Sequence, residues 1–196
     1  MQNSIIGPYL GQGVYPADSG TGVKWNNVTL TNLLFFNVWY DSINADTNST
    51  TGWTMGNITS YKWGPAPDGD QGAHLDSIRG SGHSLTNSIV ENAANDPNLT
   101  GITGSGNLYY NTDPVPGGTN TNPQFMQVLT TGTPHWSNFQ AADLTAQCAS
   151  CSGKGASLHR LQDILDRIDS LNSGAIVDFQ PQQSPQLLLP VIWNSP

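Results

Sequence analysis

Residues 28–40 read Val-Thr-Leu-Thr-Asn-Leu-Leu-Phe-Phe-Asn-Val-Trp-Tyr, the longest apolar run in the chain and its densest in β-branched and aromatic residues. Residues of this kind favour a pleated strand over a buried helix. Strand side chains alternate between faces, so Val28, Leu30, Asn32, Leu34, Phe36, Val38 and Tyr40 are expected on one side. The opposite side begins polar, with Thr29 and Thr31, and turns apolar at Leu33, Phe35 and Trp39. The first half therefore reads as buried on one face and the second half on both. Run straight, the stretch would span roughly 43 Å at about 3.3 Å per residue. That is long for a single strand, and a bulge or bend is expected near Asn32 or Asn37.

Outward from this strand the chain is turn-rich and poor in charge. Charged residues make up 10% of the 196, with Gly, Asn, Thr, Ser and Pro filling the difference. That composition points to one mainly β domain, an antiparallel β-sandwich or jelly-roll-like barrel. Residues 1–27, punctuated by Gly and Pro, read as an extended N-terminal arm, and 28–196 as a single β-rich domain. Residues 52–63 are expected to pair antiparallel with the first strand, with Trp53, Met55, Tyr61 and Trp63 on one face. Residues 73–105 are ambiguous, although Leu85, Ile89 and Val90 suit a short helix. Strands are expected at 107–111, 124–131, 175–180 and 186–193, and a short helix at 139–147. The clearest helix is 158–171, with Ser157 as N-cap and Gly174 just beyond its end. Its apolar stripe is Leu158, Leu161, Ile164, Leu165, Ile168 and Leu171. Residues 181–196 read as an extended tail. No repeat of fixed period is found.

The charge balance excludes some functions. Six Lys plus Arg against 14 Asp plus Glu give a net charge of −8, which argues against nucleic-acid binding. No run approaches the roughly 20 apolar residues of a membrane helix. Residues 1–13 lack the basic and apolar regions of a signal peptide.

Several constellations could carry chemistry. Cys148-Ala-Ser-Cys151-Ser-Gly153-Lys-Gly155 holds both cysteines. Free thiols, a local disulfide, a metal site and a redox pair are the alternatives. The segment resembles one zinc repeat of the DnaJ-type chaperones, which implies zinc. A tetrahedral site would then need two more ligands, with His135 and His159 available. It also resembles a c-type haem attachment site, but Ser152 stands where that motif needs His. Asp68, Asp70, Gly72, His74 and Asp76, and Asn44, Asp46 and Asn48, alternate as in calcium loops without the Gly and Glu of an EF-hand. His74, Asp76, His83 and Ser84 suggest a hydrolase, although no Gly-x-Ser-x-Gly elbow is present. Trp53, Tyr61 and Trp63 could stack on a sugar, or form core or interface. Sequons stand at Asn27, Asn48, Asn57 and Asn98.

The expected function is structural, with no catalytic, cofactor or metal residues: an accessory component of a virus particle, such as a capsid decoration or tail protein. It would associate with like subunits, as a homo-oligomer, or with a shell or tail protein, in a virion or extracellular setting, without nucleic acid or membrane. The alternatives are a carbohydrate-binding or adhesin module and, behind it, a secreted hydrolase.

Overall fold

The computed structural model describes residues 1–7, 12–15, 25–36, 38, 40–44, 50–62, 75–76, 80–91, 99, 101–125, 144–158, 161–163 and 166. These residues are mainly strand: β1 (Gln2–Ile6), β2 (Thr29–Phe36), β3 (Ile43–Asn44), β4 (Thr54–Tyr61), β5 (Leu75–Asp76), β6 (His83–Thr86), β7 (Ile89–Glu91), β8 (Ile102–Ser105), β9 (Asn107–Tyr110) and β10 (Gly118–Asn120).

The expected β character is present, but the pairing differs from expectation. Every pair among these strands is parallel, and the antiparallel contact is an isolated bridge between Phe125 and Ala146. Neighbours follow chain order, β1-β2-β4-β7-β9-β10, with β6 beside β4 and β8 beside β6. A parallel sheet whose rungs follow chain order means that the chain winds as a solenoid. Each circuit lays one rung on the one before. Thr29, Thr54, Ser84 and Thr103 occupy equivalent places on successive rungs. Parallel strands ordinarily read as continuous apolar runs, but the first ladder has one face in solvent, so it shows the polar-out, apolar-in alternation of an antiparallel sheet.

Each rung turns at a left-handed residue. Asn3, Asn32, Asn57, Asn87, Gly106 and Gly117 fall in one slot, with φ of 53, 53, 51, 48, 67 and 62°. Asn tolerates this conformation better than other side-chain-bearing residues, and Gly takes it freely. The bend expected at Asn32 is therefore present, and it recurs on every rung. It also shifts the alternation. Before the corner Leu30, Met55 and Leu85 point inward; after it Leu33, Ile58, Phe35 and Val90 do. The face assignment for residues 28–40 fails past Asn32 for this reason. The same slip at Asn57 separates Trp53 and Met55, which point inward, from Tyr61, which packs in a different cluster.

Three parallel ladders result. The first comprises residues 28–31, 53–56, 83–86 and 102–105, the second 33–36, 58–61, 88–91 and 107–110. The third stacks Val14, Ile43 and Leu75. Their inward side chains form one core, with Leu33, Phe35, Val38 and Met55 fully buried. Burial of each such side chain contributes about 1.5–3 kcal/mol. Residues 2–6, expected within an extended arm, are extended and form the first rung. Leu85, Ile89 and Val90, expected to suit a helix, lie on strands, because the left-handed Asn87 between them breaks any helical run.

The second ladder is buried on both faces, as expected for the second half of 28–40. Its outward Leu34, Phe36 and Tyr61 pack against Leu144, Ala156, Leu158 and Leu161. Ile89 and Leu108 pack against Cys151. Phe36 stacks on Tyr61, with ring centroids 6.5 Å apart, and Phe125 meets Tyr61 edge-on at 5.7 Å. The covering segment is bonded across the rungs by four consecutive residues. Lys154 Nζ donates to the Gly106 carbonyl at 2.5 Å. Gly155 N–H donates to the Asn87 carbonyl at 2.6 Å. Ala156 N–H donates to Thr59 Oγ1 at 2.9 Å, and Ser157 N–H to Asn32 Oδ1. A helix begins at Leu158, where expected, and Leu161 N–H donates to the Ser157 carbonyl at 3.2 Å. Most of its expected length lies outside the described residues. So do the expected strands at 175–180 and 186–193, the tail 181–196, and all but fragments of 124–131 and 139–147.

Candidate functional surface

The residues singled out from the sequence do not converge. His83 lies inside the solenoid, 1% exposed. Its Nδ1 accepts the Trp53 backbone N–H at 3.2 Å, and its Nε2 lies 3.4 Å from Thr50 Oγ1. The first bond leaves Nδ1 unprotonated, so Nε2 carries the proton and donates to Thr50. Ser84 is the next strand residue and points outward, away from the ring. His74 and the Asp76 side chain lie outside the described residues. Trp53 and Tyr61 are each 1% exposed, and the Trp53 indole N–H donates to the Trp25 carbonyl at 2.7 Å. Of the two readings of this stripe, Trp53 and Tyr61 take the core one and offer no exposed platform; Trp63 is outside the described residues.

Cys148 and Cys151 form a disulfide. Sulfurs bonded to each other are not thiolate ligands, so the zinc implied by the chaperone resemblance does not fit this pair. His135 and His159, and the Asp-rich loops at 45–49 and 68–74, lie outside the described residues. Among the described residues no three His, Cys, Asp or Glu side chains gather as metal ligands.

A polar cluster sits at the end of the second ladder. Asp41 Oδ2 accepts from Gln12 Nε2 at 3.1 Å and from Asn44 Nδ2 at 2.8 Å. Ser42 and Ser60 share a hydroxyl bond of 2.8 Å. Lys62, 1% exposed, donates from Nζ to the Tyr40 carbonyl. Desolvation lowers its ammonium pKa to about 8, against the opposing charge of Asp41. Glu91 is paired in register with Tyr61. Its Oε2 is buried without a hydrogen-bond partner among the described residues, and desolvation raises its pKa to about 7. These groups hold the loop after β2 against the core; nothing among them forms a nucleophile–base pair.

The feature that sequence reading missed is the outward face of the first ladder. Two ranks of side chains run across the rungs: Thr29, Thr54, Ser84 and Thr103 in one, Thr31, Gly56, Thr86 and Ser105 in the other. Seven of these eight positions carry a hydroxyl, and none is ionisable; Gln2, in register with Thr31, adds an exposed amide at the end of the second rank. Thr29, Thr54, Thr103 and Ser105 are exposed. Beyond the neighbouring corner Asn26, Thr51 and Ser81, bridged in parallel and also exposed, extend the surface. The signal was present as Thr-Leu-Thr-Asn at 29–32, Thr-Met-Gly-Asn at 54–57 and Ser-Leu-Thr-Asn at 84–87.

No family model, curated protein or solved structure matches this chain.

Proposed function

We propose that the protein is a structural component of an extracellular assembly, with a virus particle as the setting, where it acts as a decoration or tail element. It works by association with like subunits or with a shell or tail protein. The observation that supports this most is the edge of β1 that no described strand covers. Strand β1 pairs with β2 along one side, and no described strand pairs with its other side. An unpaired parallel edge at the end of a solenoid accepts another strand through main-chain hydrogen bonds. A stack clamped at every corner gives such an edge a fixed shape, so little ordering cost opposes docking.

Light scattering over a range of concentrations tests this, on the wild type and on Gln2→Lys. Gln2 is exposed on β1, and a lysine on an edge strand opposes strand addition. The expected result is a wild-type mass that rises above 20.9 kDa with concentration, and a Gln2→Lys mass that stays nearer the monomer. A wild type that remains monomeric, and that fails to bind its own particle's shell or tail proteins, would overturn the reading.

A further inference from the structure

We propose that the hydroxyl face of the first ladder binds an ordered water lattice, the surface of ice. This is independent of the end-to-end association above, since it uses the side of the stack and not its edge.

The face has the regularity that such a ligand requires. Along a rung, alternate side chains stand about 6.6–6.8 Å apart, and between rungs about 4.7–4.9 Å apart, by strand geometry. Oxygen repeats near both values occur in hexagonal ice. Thr29, Thr54 and Thr103 are β-branched, which restricts χ1 at each, and Thr103 Oγ1 is further fixed by donating to the His83 carbonyl at 3.1 Å. The backbone beneath is held by the left-handed corners and by the buried Leu30, Met55 and Leu85. Gly56 is the one position without a hydroxyl. A Cβ there would lie 3.2 Å from Thr86 Oγ1, so the gap keeps Thr86 in place.

The chemistry of the face also selects against other occupants. A protein partner ordinarily finds aromatic or large aliphatic anchors at the centre of its patch, and neither rank has one. A sugar platform needs exposed rings within the array, and neither rank carries one: Trp53 is turned inward, and the exposed Trp25 lies outside both ranks, before Asn26 at the neighbouring corner. Charged side chains, which hold hydration shells of their own, are absent from both ranks. The outward face of the second ladder provides the contrast: it is mostly apolar and packs against Leu144, Cys151, Ala156, Leu158 and Leu161.

Thermal hysteresis and ice-recrystallisation inhibition, measured on the purified full chain, test the proposal. Thr54→Tyr places a ring in the middle of the array and Thr103→Lys places a charge on it. Asp163→Tyr, on the exposed face of the helix, is the control. The expected result is ice shaping and hysteresis by the wild type and the control. Loss of hysteresis by about tenfold or more is expected in either face variant, the size of effect that follows loss of a central contact, with unchanged thermal melting. Should Thr54→Tyr fail to fold, Thr103→Lys gives the same reading at an exposed position. A folded wild type that leaves ice growth unaltered would overturn the proposal, as would face variants as active as the control.

Discussion

Asn32 donates its side-chain amide to Oδ1 of Asn3 across 2.8 Å, from one rung of the solenoid to the next. Both residues are left-handed, at φ 53°. The slot does two things at once: it turns the chain between the first and second ladders, and it brings polar side chains of successive rungs into register. Further along, Gly106 and Gly117 occupy it, so the backbone conformation is the stricter requirement.

Substitutions at Asn57, φ 51°, should separate these contributions. Asn57→Gly keeps the conformation and loses the bond from Asn57 Nδ2 to the Gly153 carbonyl; a cost within about 1 kcal/mol is expected. Asn57→Val places a β-branched residue where φ is positive, with an expected cost of roughly 2–3 kcal/mol. Urea unfolding of the two variants checks this. Equal costs would mean that the side chain, not the backbone, matters at this corner.

The disulfide between Cys148 and Cys151 spans a sequence separation of 3. So short a loop contributes at most about 2 kcal/mol in the chain-entropy account. Its effect should therefore be local. After reduction, or in Cys148→Ser/Cys151→Ser, the amides of Gly155 and Ala156 should exchange about tenfold faster, since they are held by the covering segment, while those of buried core strands keep their protection. Hydrogen exchange followed by NMR reads both. Unchanged exchange at Gly155 and Ala156 would show that the segment is held without the disulfide.

Glu91 should give the protein a pH-dependent stability. Its pKa is raised by desolvation from 4.5 to about 7, so the folded state holds a proton that the unfolded state has released. The contribution is fully present below pH 4.5 and is lost as pH rises through about 7. Partial solvent access limits the loss to on the order of 1–2 kcal/mol. Thermal melting of the wild type and Glu91→Gln between pH 4 and pH 8 tests this, with Glu91→Gln the more stable at pH 8. Parallel profiles for the two proteins would contradict it.

Much of the local structure could be read from residues 28–40: the strand, the bend at Asn32, and the change from one buried face to two. The winding could not be found by a search for fixed period, because the rungs differ in length. From Thr29 to Thr54 is 25 residues, from Thr54 to Ser84 is 30, and from Ser84 to Thr103 is 19. What repeats is a short hydroxyl-x-small-Asn motif, with loops of varying length between its copies. The expectation of an antiparallel sheet followed from composition, which counts turn residues without saying whether a turn reverses the chain or carries it to the next rung. The hydroxyl face escaped notice for a related reason. Thr and Ser on a strand look like ordinary solvent-facing residues until the register places them in line.

Cross-rung contacts in solution test the winding most directly. Thr29 and Thr54 are 25 residues apart in sequence and paired in parallel register, as are Thr54 and Ser84 across 30. The account predicts NMR cross-peaks between the backbone protons of Thr31 and Gly56 and between those of Gly56 and Thr86, in the parallel Hα-to-amide pattern. Close Hα–Hα contacts between these residues, the mark of antiparallel strands, or contacts in a different register would contradict it.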